Sequence, residues 1–299
     1  MPEKATGCGP APKTSPYERA VLGFRADPHM RDFVEKNYFD EDLGKAVSRY
    51  AQSEEFSRIC TILQPHLASG SRLLDIGAGR GLTSLALAQR GAHVISVESD
   101  PCDVVGVGAL ARFWGRAPLP FTAVRGDILR LPFPDKSFDL VFCRSVLHHL
   151  KDLGEGLRES YRVLKPGGTF LAVNQHILTL LSSGNRFLKA HPATAFGVNE
   201  NAYHAATVWR KLLGAGFMDI HFYGYPLELP EFLVATASNH LRSRLVGLPA
   251  VGRLFLVVFH KLHVAFRRYI CVMEETRPAI SMVAKRRIPN HAGNPHAPK

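Results

Sequence analysis

The sequence predicts an α/β fold, in which a mostly parallel sheet is covered by helices. After Gly70, short apolar runs alternate with stretches of helical periodicity, and this alternation is typical of strands joined by crossover helices. The chain has 299 residues, of which 46% are hydrophobic, so it is long enough to bury a substantial core. We therefore expect one elaborated domain.

The elements that precede the sheet are predicted from composition and periodicity. Residues 1–30 are rich in Pro, Gly and Lys and are interpreted as a flexible leader. Residues 31–69 carry apolar side chains at spacings near three and four. This spacing predicts an N-terminal helical lid of one or two helices.

The core of the domain is predicted within residues 70–225. Six apolar runs are the predicted strands: 72–76, 93–97, 121–124, 138–143, 168–173 and 217–223. Helices are predicted between strands at 81–90, 102–112, 153–163 and 203–214. Glycine follows several of these helices, as at Gly91 and Gly216, where a helix is expected to end.

The C-terminal third contains one further strand-like run, Ile280–Lys285, which places residues 277–288 in the core. More than fifty residues separate this run from the sixth strand, which is too long for a simple turn. Residues 226–276 are therefore predicted to be a helical insertion before the last strand. Residues 289–299 are expected to be a flexible tail.

A glycine-rich turn follows the first predicted strand, with Gly77, Gly79 and Gly81 at alternate positions. Glycine allows positive φ and lets a ligand approach the main chain, although such a turn can also serve only close packing. Glu98 lies 21 residues after Gly77, at the end of the second strand. A carboxylate there can accept both ribose hydroxyls, so the two features together predict a nucleoside site.

Two phosphate-binding patterns fit this turn poorly. The dinucleotide fingerprint needs a third glycine where Leu82 stands, and a P-loop needs a lysine before its Ser or Thr, whereas Leu82 precedes Thr83. The glycine turn and Glu98 alone therefore do not identify which nucleoside cofactor binds there.

Residues 74–81, LDIGAGRG, resemble motif I of the class I S-adenosylmethionine-dependent methyltransferases. Further matching segments follow in order at Gly126–Ile128, Phe138–Cys143, His148–Leu150 and Arg162–Gly168. The resemblance covers roughly residues 70–225 and is strongest to the ubiquinone/menaquinone-type, small-molecule branch. It implies S-adenosyl-L-methionine as cofactor and a doubly wound, seven-stranded sheet of order 3-2-1-4-5-7-6 whose last strand is antiparallel.

The resemblance also implies which residues bind the cofactor. Asp75 and the turn that follows it would border the methionine part, and Glu98 the ribose. Asp127 and the backbone of Ile128 would border the adenine, and Arg144 and Ser145 would lie near the sulfonium. The implied set is Asp75, Gly77, Ala78, Gly79, Gly81, Glu98, Ser99, Asp127, Ile128, Arg144 and Ser145.

Catalysis of methyl transfer requires alignment and exclusion of water, and a base only where the acceptor carries a proton. His148, His149 and His176 follow strands four and five, where imidazoles would titrate near neutral pH. His148 and His176 are the preferred catalytic candidates, although the His-His pair also recurs in the family as the start of a helix. The five cysteines have no metal-binding spacing, and no metal is expected.

Two segments bear on the acceptor. Asn199, Glu200 and Asn201 resemble a segment of methyltransferases found with bacterial polysaccharide and sugar biosynthesis, which raises a glycan or glycolipid acceptor, but Asn and Glu can equally cap a helix. Residues 245–270 form a basic amphipathic pattern. It is interpreted as a lid over the acceptor or as a contact with an anionic membrane surface.

Charge and targeting signals narrow the class of protein. The net charge is +11, and residues 242–287 hold ten Lys or Arg against two Glu, so most of the excess is local. No nucleic-acid module accompanies this basic stretch, which makes nucleic acid an unlikely partner. The N-terminus lacks a signal peptide, and no apolar run reaches the length of a membrane span, so the expected location is cytoplasmic, with membrane association through 245–270 as an addition.

These observations predict an enzyme that methylates a small-molecule, glycan or lipid-linked acceptor. The alternative is a non-catalytic protein that binds S-adenosylmethionine in the same pocket to regulate another process. Both kinds of protein would bind the cofactor, but only the enzyme would transfer its methyl group.

Overall fold

The computed structural model describes residues 14–67, 70–114, 119–178, 188, 191–223 and 279–286. The predicted insertion at 226–276, the basic stretch 245–270 within it and the tail at 289–299 lie outside these residues. Within the described ranges, no helix combines the length and apolar character that crossing a membrane requires.

A mixed sheet forms the centre of the molecule. Its strands are β1 (Leu73–Ile76), β2 (Val94–Glu98), β3 (Phe121–Arg125), β4 (Phe138–Arg144), β5 (Leu164–Leu178), β6 (Tyr203–His204), β7 (Phe217–Tyr223) and β8 (Ala279–Arg286). Their order is β3-β2-β1-β4-β5-β8-β7, and the short β6 pairs beside β5. β8 is antiparallel to both neighbours, whereas the other pairs are parallel.

Apart from the two-residue β6, this order is the predicted 3-2-1-4-5-7-6 arrangement with an antiparallel last strand, so the predicted fold class is confirmed. β5 is longer than the predicted 168–173 because it continues to Leu178 and begins at Leu164. Its pairing with β4 shifts register between Phe138 and Leu140.

The helices surround the sheet. They are α1 (Pro16–Ala26), α2 (Arg31–Lys36), α3 (Leu43–Ala51), α4 (Glu54–Leu63), α5 (Leu82–Ala88), α6 (Val107–Trp114), α7 (Leu153–Val163) and α8 (Ala205–Ala215). Side chains of Ser15, Asp42, Ser53 and Asp152 accept backbone N–H bonds at the first turns of α1, α3, α4 and α7. These caps satisfy donors that a helix start leaves unpaired.

Both faces of the sheet are buried. Along β4, Leu140 and Phe142 pack into a core shared with α3, α4 and α5, whereas Val141 and Cys143 pack on the opposite face with α7 and α8. Side chains alternate between faces along a strand, so a continuous apolar run is what a strand covered on both sides requires.

The N-terminus differs from the sequence interpretation. Residues 1–30 are expected to be a flexible leader, but α1 spans Pro16–Ala26, and Ala20, Val21 and Phe24 are buried. Ser15 caps this helix, and Pro16 occupies its first turn, where proline is favoured. The leader interpretation is therefore corrected for residues 16–30, while residues 1–13 lie outside the described ranges.

Candidate functional site

A cavity of about 550 Å³ opens where the parallel strands end, a volume typical of small-molecule sites. The ends of β1 to β5 form its floor, and α1, α2 and the segment after them form its roof. The predicted site residues that line it are Asp75, Gly77, Ala78, Gly79, Glu98, Ser99, Asp127, Ile128, Arg144, Ser145, His148 and His176.

The turn after β1 depends on glycine at two cavity-lining positions. Gly77 has φ of +65°, and a Cβ on it would lie 2.8 Å from both Cγ methyls of Val146. Gly79 has φ of +56°, and a Cβ on it would lie 3.3 Å from the carbonyl oxygen of Val105. The turn therefore presents a bare main chain to the cavity.

Gly81 does not line the cavity, in contrast to its predicted role in cofactor binding. It is the N-cap of α5, with φ of +78°. A Cβ there would lie 2.0 Å from Cδ2 of Leu110 on α6. The left-handed backbone therefore favours glycine at this position, and the missing Cβ lets Leu110 of α6 pack closely against the start of α5.

Glu98 joins the end of β2 to the glycine turn. Its Oε2 accepts the N–H of Gly79 at 2.8 Å, and its Oε1 accepts the N–H of Asp100 at 2.9 Å. Burial raises the pKa of the Glu98 carboxyl, while the backbone donors oppose that rise. Glu98 lines the same cavity as Gly77 and Gly79.

Asp75 lies beneath the turn at the end of β1. Its Oδ2 accepts the hydroxyl of Ser84 at 2.5 Å, and that hydroxyl also lies 2.6 Å from the hydroxyl of Ser96. Asp75 is only 4% exposed, and burial raises its pKa to about 7. A buried network of this kind keeps the strand end rigid.

Arg144, at the end of β4, is paired with a residue of the N-terminal helices. Its Nε lies 2.6 Å from Oε1 of Glu55 on α4, whose side chain is 4% exposed. The guanidinium also lies over the rings of Tyr38 and Tyr50, at 5.6 and 5.3 Å from their centroids. The ion pair with Glu55 joins β4 to α4, and the contact with Tyr38 joins β4 to the segment after α2.

Two non-glycine residues with positive φ meet between β4 and β5. Ser145 has φ of +56° and Asn174 has φ of +55°. Nδ2 of Asn174 donates to Oγ of Ser145 at 2.8 Å. Oε1 of Gln175 accepts the N–H of Leu147 at 2.9 Å. Such strained backbone is typical of functional sites, and here it directs the chain after β4 into the cavity.

A cluster of four histidines surrounds one carboxylate on this side of the cavity. Nε2 of His148 and Nδ1 of His176 each lie 3.9 Å from Oε2 of Glu200. Nδ1 of His191 lies 3.4 Å from Oε1 of Glu200, and Nδ1 of His149 lies 3.6 Å from it. The side chains of Glu200 and His148 are 2% and 3% exposed. We call these five residues the His–Glu cluster.

Two asparagines hold Glu200 against the histidines. The N–H and Nδ2 of Asn201 donate to the carbonyl of His148 at 2.8 and 3.0 Å. Nδ2 of Asn199 donates to the carbonyl of His149 at 2.8 Å. α8 begins after His204, which makes no side-chain cap bond. The Asn-Glu-Asn segment therefore does not cap the helix, and its asparagines clamp it to the turn after β4.

Several cavity residues escape the sequence interpretation. Tyr17, Phe24, Phe33 and Phe39 line the roof, and the ring of Tyr17 lies 5.8 Å from that of His149. Tyr17 and Phe24 fall within the predicted flexible leader and are therefore not expected in the site. However, Ser15 followed three residues later by Glu18 matches the pattern of a helix start. Nothing in the local sequence marks His191, which reaches the cluster only through tertiary folding.

Comparison with known proteins finds matches over the region that contains this site. A family model described as "Methyltransferase domain" matches residues 74–172, which contain the glycine turn, Glu98, Asp127 and the His-His turn. A demethylmenaquinone methyltransferase of Mycolicibacterium gilvum is 30% identical over 217 residues, or 66% of this chain and 90% of that protein. That of Streptomyces griseus is 42% identical over 140 residues, or 46% of this chain and 56% of that protein.

The chain spans about half the length of several curated relatives that it matches, from 41% to 56% of four of them. Among solved structures, phosphoethanolamine N-methyltransferase 2 of Haemonchus contortus, in complex with phosphomonomethylethanolamine and S-adenosylhomocysteine, aligns with a TM-score of 0.54. The alignment covers 86% of this chain and 60% of that protein at 21% identity. This likeness shows a shared fold.

Proposed function

Because the chain belongs to the class I S-adenosylmethionine-dependent methyltransferases, we propose that it transfers a methyl group from S-adenosylmethionine to a small-molecule acceptor. The observation that carries this proposal is one cavity that joins the bare glycine turn and Glu98 to the His–Glu cluster. The β1–β3 side has the features of a nucleoside site, and the β4–β5 side has polar groups for an acceptor.

The residues on the β1–β3 side suit the cofactor. Gly77 and Gly79 line the cavity and carry no side chain, so a ligand can approach the main chain there. The two oxygens of Glu98 can accept a pair of ribose hydroxyls. Asp127 and Ile128 line the cavity after β3 and would hold the adenine by a carboxylate and an apolar side chain.

Bound S-adenosylmethionine supplies an electrophilic methyl group that the acceptor attacks in line. The protein must then align the acceptor, exclude water and receive any proton that the acceptor loses. Burial lowers the pKa of His148, and the neighbouring histidines lower it further, so its imidazole is neutral near pH 7. We propose that His148 and His176 form the polar end of the acceptor site, next to the group that receives the methyl.

The roof suggests an acceptor with an apolar part. Phe24, Phe33 and Phe39 form a contiguous aromatic group, with ring centroids 5.0 to 6.4 Å apart, and all three line the cavity. Aromatic side chains bind flat apolar groups well. Since several relatives are named demethylmenaquinone methyltransferases, an aromatic or quinol-like acceptor is the first class to test, with glycan and lipid-linked acceptors after it.

The test begins with cofactor binding. Calorimetry with S-adenosylhomocysteine should give one site per chain, and Glu98→Gln should weaken binding about 10- to 100-fold, since hydrogen bonds to a charged group contribute about 1.5–3 kcal/mol. Glu54→Gln is the matched control, because Glu54 is 63% exposed and pairs with Arg58 on the outside of α4. Binding of a nicotinamide dinucleotide instead would overturn the cofactor assignment.

Turnover separates an enzyme from a regulatory binding protein. Release of S-adenosylhomocysteine is measured over a panel of quinols, phenols, amines, sugars and lipid-linked sugars. Binding with no turnover on any of them, in a protein with an intact cofactor site, would favour the regulatory alternative.

A further inference from the structure

The His–Glu cluster contains more donor groups than proton transfer requires. One general base needs one imidazole and at most one carboxylate partner, yet four imidazoles converge on Glu200. Within the described residues, donor atoms of His148, His176 and Glu200 lie within 4.8 Å of one another. Imidazole nitrogens and a carboxylate oxygen are the donors that divalent transition metals prefer.

We propose that His148, His176 and Glu200 bind a divalent transition-metal ion, with an open coordination position that faces the cavity. Two histidines and one glutamate form the ligand set of several catalytic zinc sites. The open position would take an oxygen of the acceptor, and this part of the proposal rests on the proposed function. The ion itself would bind without acceptor or cofactor.

The spacing of the donors suits an ion after a small adjustment. Tetrahedral zinc with bonds of about 2.0–2.1 Å places its ligand atoms about 3.4 Å apart. The two imidazole nitrogens lie 3.9 Å from the Glu200 oxygen, too far for a hydrogen bond and about half an ångström wider than zinc ligands. Rotation of the side chains would close this difference.

The surroundings hold the donors in place. The Asn199 and Asn201 clamps fix the backbone on both sides of Glu200 to the turn that carries His148. His149 Nδ1 lies 2.9 Å from the carbonyl oxygen of Asn199, so we assign it to this supporting structure. Outer residues of this kind orient metal ligands.

The electrostatics of the cluster also favour a cation. The side chains of His148 and Glu200 are only 3% and 2% exposed, and buried charges in proteins are paired or bind metals. His191 adds a fourth donor at 3.4 Å from the second oxygen of Glu200. A divalent ion would bind two imidazoles and the carboxylate at the same time, whereas a single ring proton joins only two groups.

The experiment is metal binding by the full chain, purified without a histidine tag and treated with a chelator. Zn²⁺ is titrated by calorimetry, and Co²⁺ is followed by its visible absorption, which reports on the coordination number. The wild type should bind one ion per chain. Glu200→Gln and His176→Gln should each weaken metal binding by at least about 100-fold. Loss of an outer residue that only supports a ligand weakens binding by up to about 100-fold, and loss of a ligand itself should cost no less.

His93→Ala is the matched control, because His93 is exposed and lies outside the cavity, and it should bind metal like the wild type. Binding of S-adenosylhomocysteine by Glu200→Gln, measured on the same sample, reports on folding and on the cofactor site independently. A wild type that binds neither ion at one equivalent, or cluster variants that bind as tightly as His93→Ala, would overturn the proposal.

Discussion

At the scale of single residues, Asp75 shows how much of the site is invisible in the sequence. The resemblance places it beside the cofactor, and it does line the cavity. Its hydrogen bond from Ser84, and the contact of that hydroxyl with Ser96, depend on the packing of α5 against β1 and β2. Burial raises the pKa of Asp75, and the Ser84 hydrogen bond opposes that rise. Because both effects come from tertiary packing, the raised pKa could not be inferred from neighbours in the chain.

We expect Asp75 to make stability depend on pH. Its pKa rises from 3.8 in the unfolded chain to about 7 in the fold, so the folded state holds the proton more tightly. Stability from this group is complete below the unfolded pKa and is lost as pH rises to the folded pKa. The loss approaches about 1.4 kcal/mol per pH unit.

Urea unfolding of the wild type and Asp75→Asn, measured across about pH 5 to pH 7, tests this dependence. The free energy of unfolding of the wild type minus that of the variant should fall as pH rises. A constant difference would show that Asp75 keeps its ordinary pKa.

At the scale of elements, the periodicity of apolar residues predicts the strands and helices of the core. The features that depend on tertiary contacts are not predicted by it. The strands at 217–223 and the helix at 153–163 are found with their predicted limits, because apolar spacing directly reflects burial. The role of Gly81 in packing and the position of His191 could not be predicted, since both depend on elements distant in sequence. α1 is hidden in the sequence, because the Pro- and Gly-rich composition before residue 30 outweighs the helix cap at Ser15.

The ion pair between Glu55 and Arg144 joins α4 to β4, and we expect its loss to destabilise both. Glu55→Gln leaves the Arg144 charge buried without its carboxylate, which typically costs about 3–5 kcal/mol. Chemical denaturation measures the cost. Glu54→Gln, on the exposed side of the same helix, should change stability by no more than about 0.5 kcal/mol, and equal effects of the two variants would contradict this account.

At the scale of the whole molecule, the site lies between the sheet and the N-terminal helices. The sheet supplies the floor, and α1 and α2 supply the roof. Phe24 packs against Phe33 and Phe196, so the roof is anchored to the segment after β5. A ligand in the cavity therefore contacts both parts and should stabilise the fold as a unit.

We expect S-adenosylhomocysteine to raise the free energy of unfolding by about 2.7 kcal/mol at 100 times its dissociation constant. Thermal and urea unfolding over a series of ligand concentrations measure this linkage. Glu98→Gln should need a higher ligand concentration for the same rise in the free energy of unfolding, in proportion to its weaker binding. A stabilisation that does not depend on concentration would argue against a single site in the fold.

The bond between Arg19 and Phe196 constrains the timing of folding during synthesis. The guanidinium of Arg19 donates to the carbonyl of Phe196, 177 positions later. At about 5–20 residues per second, a ribosome takes on the order of 10 to 35 seconds to cover that interval. α1 can pack on Phe33 and Phe39 soon after it leaves the ribosome, but the part of its apolar face that Phe196 covers stays available to chaperones throughout that time.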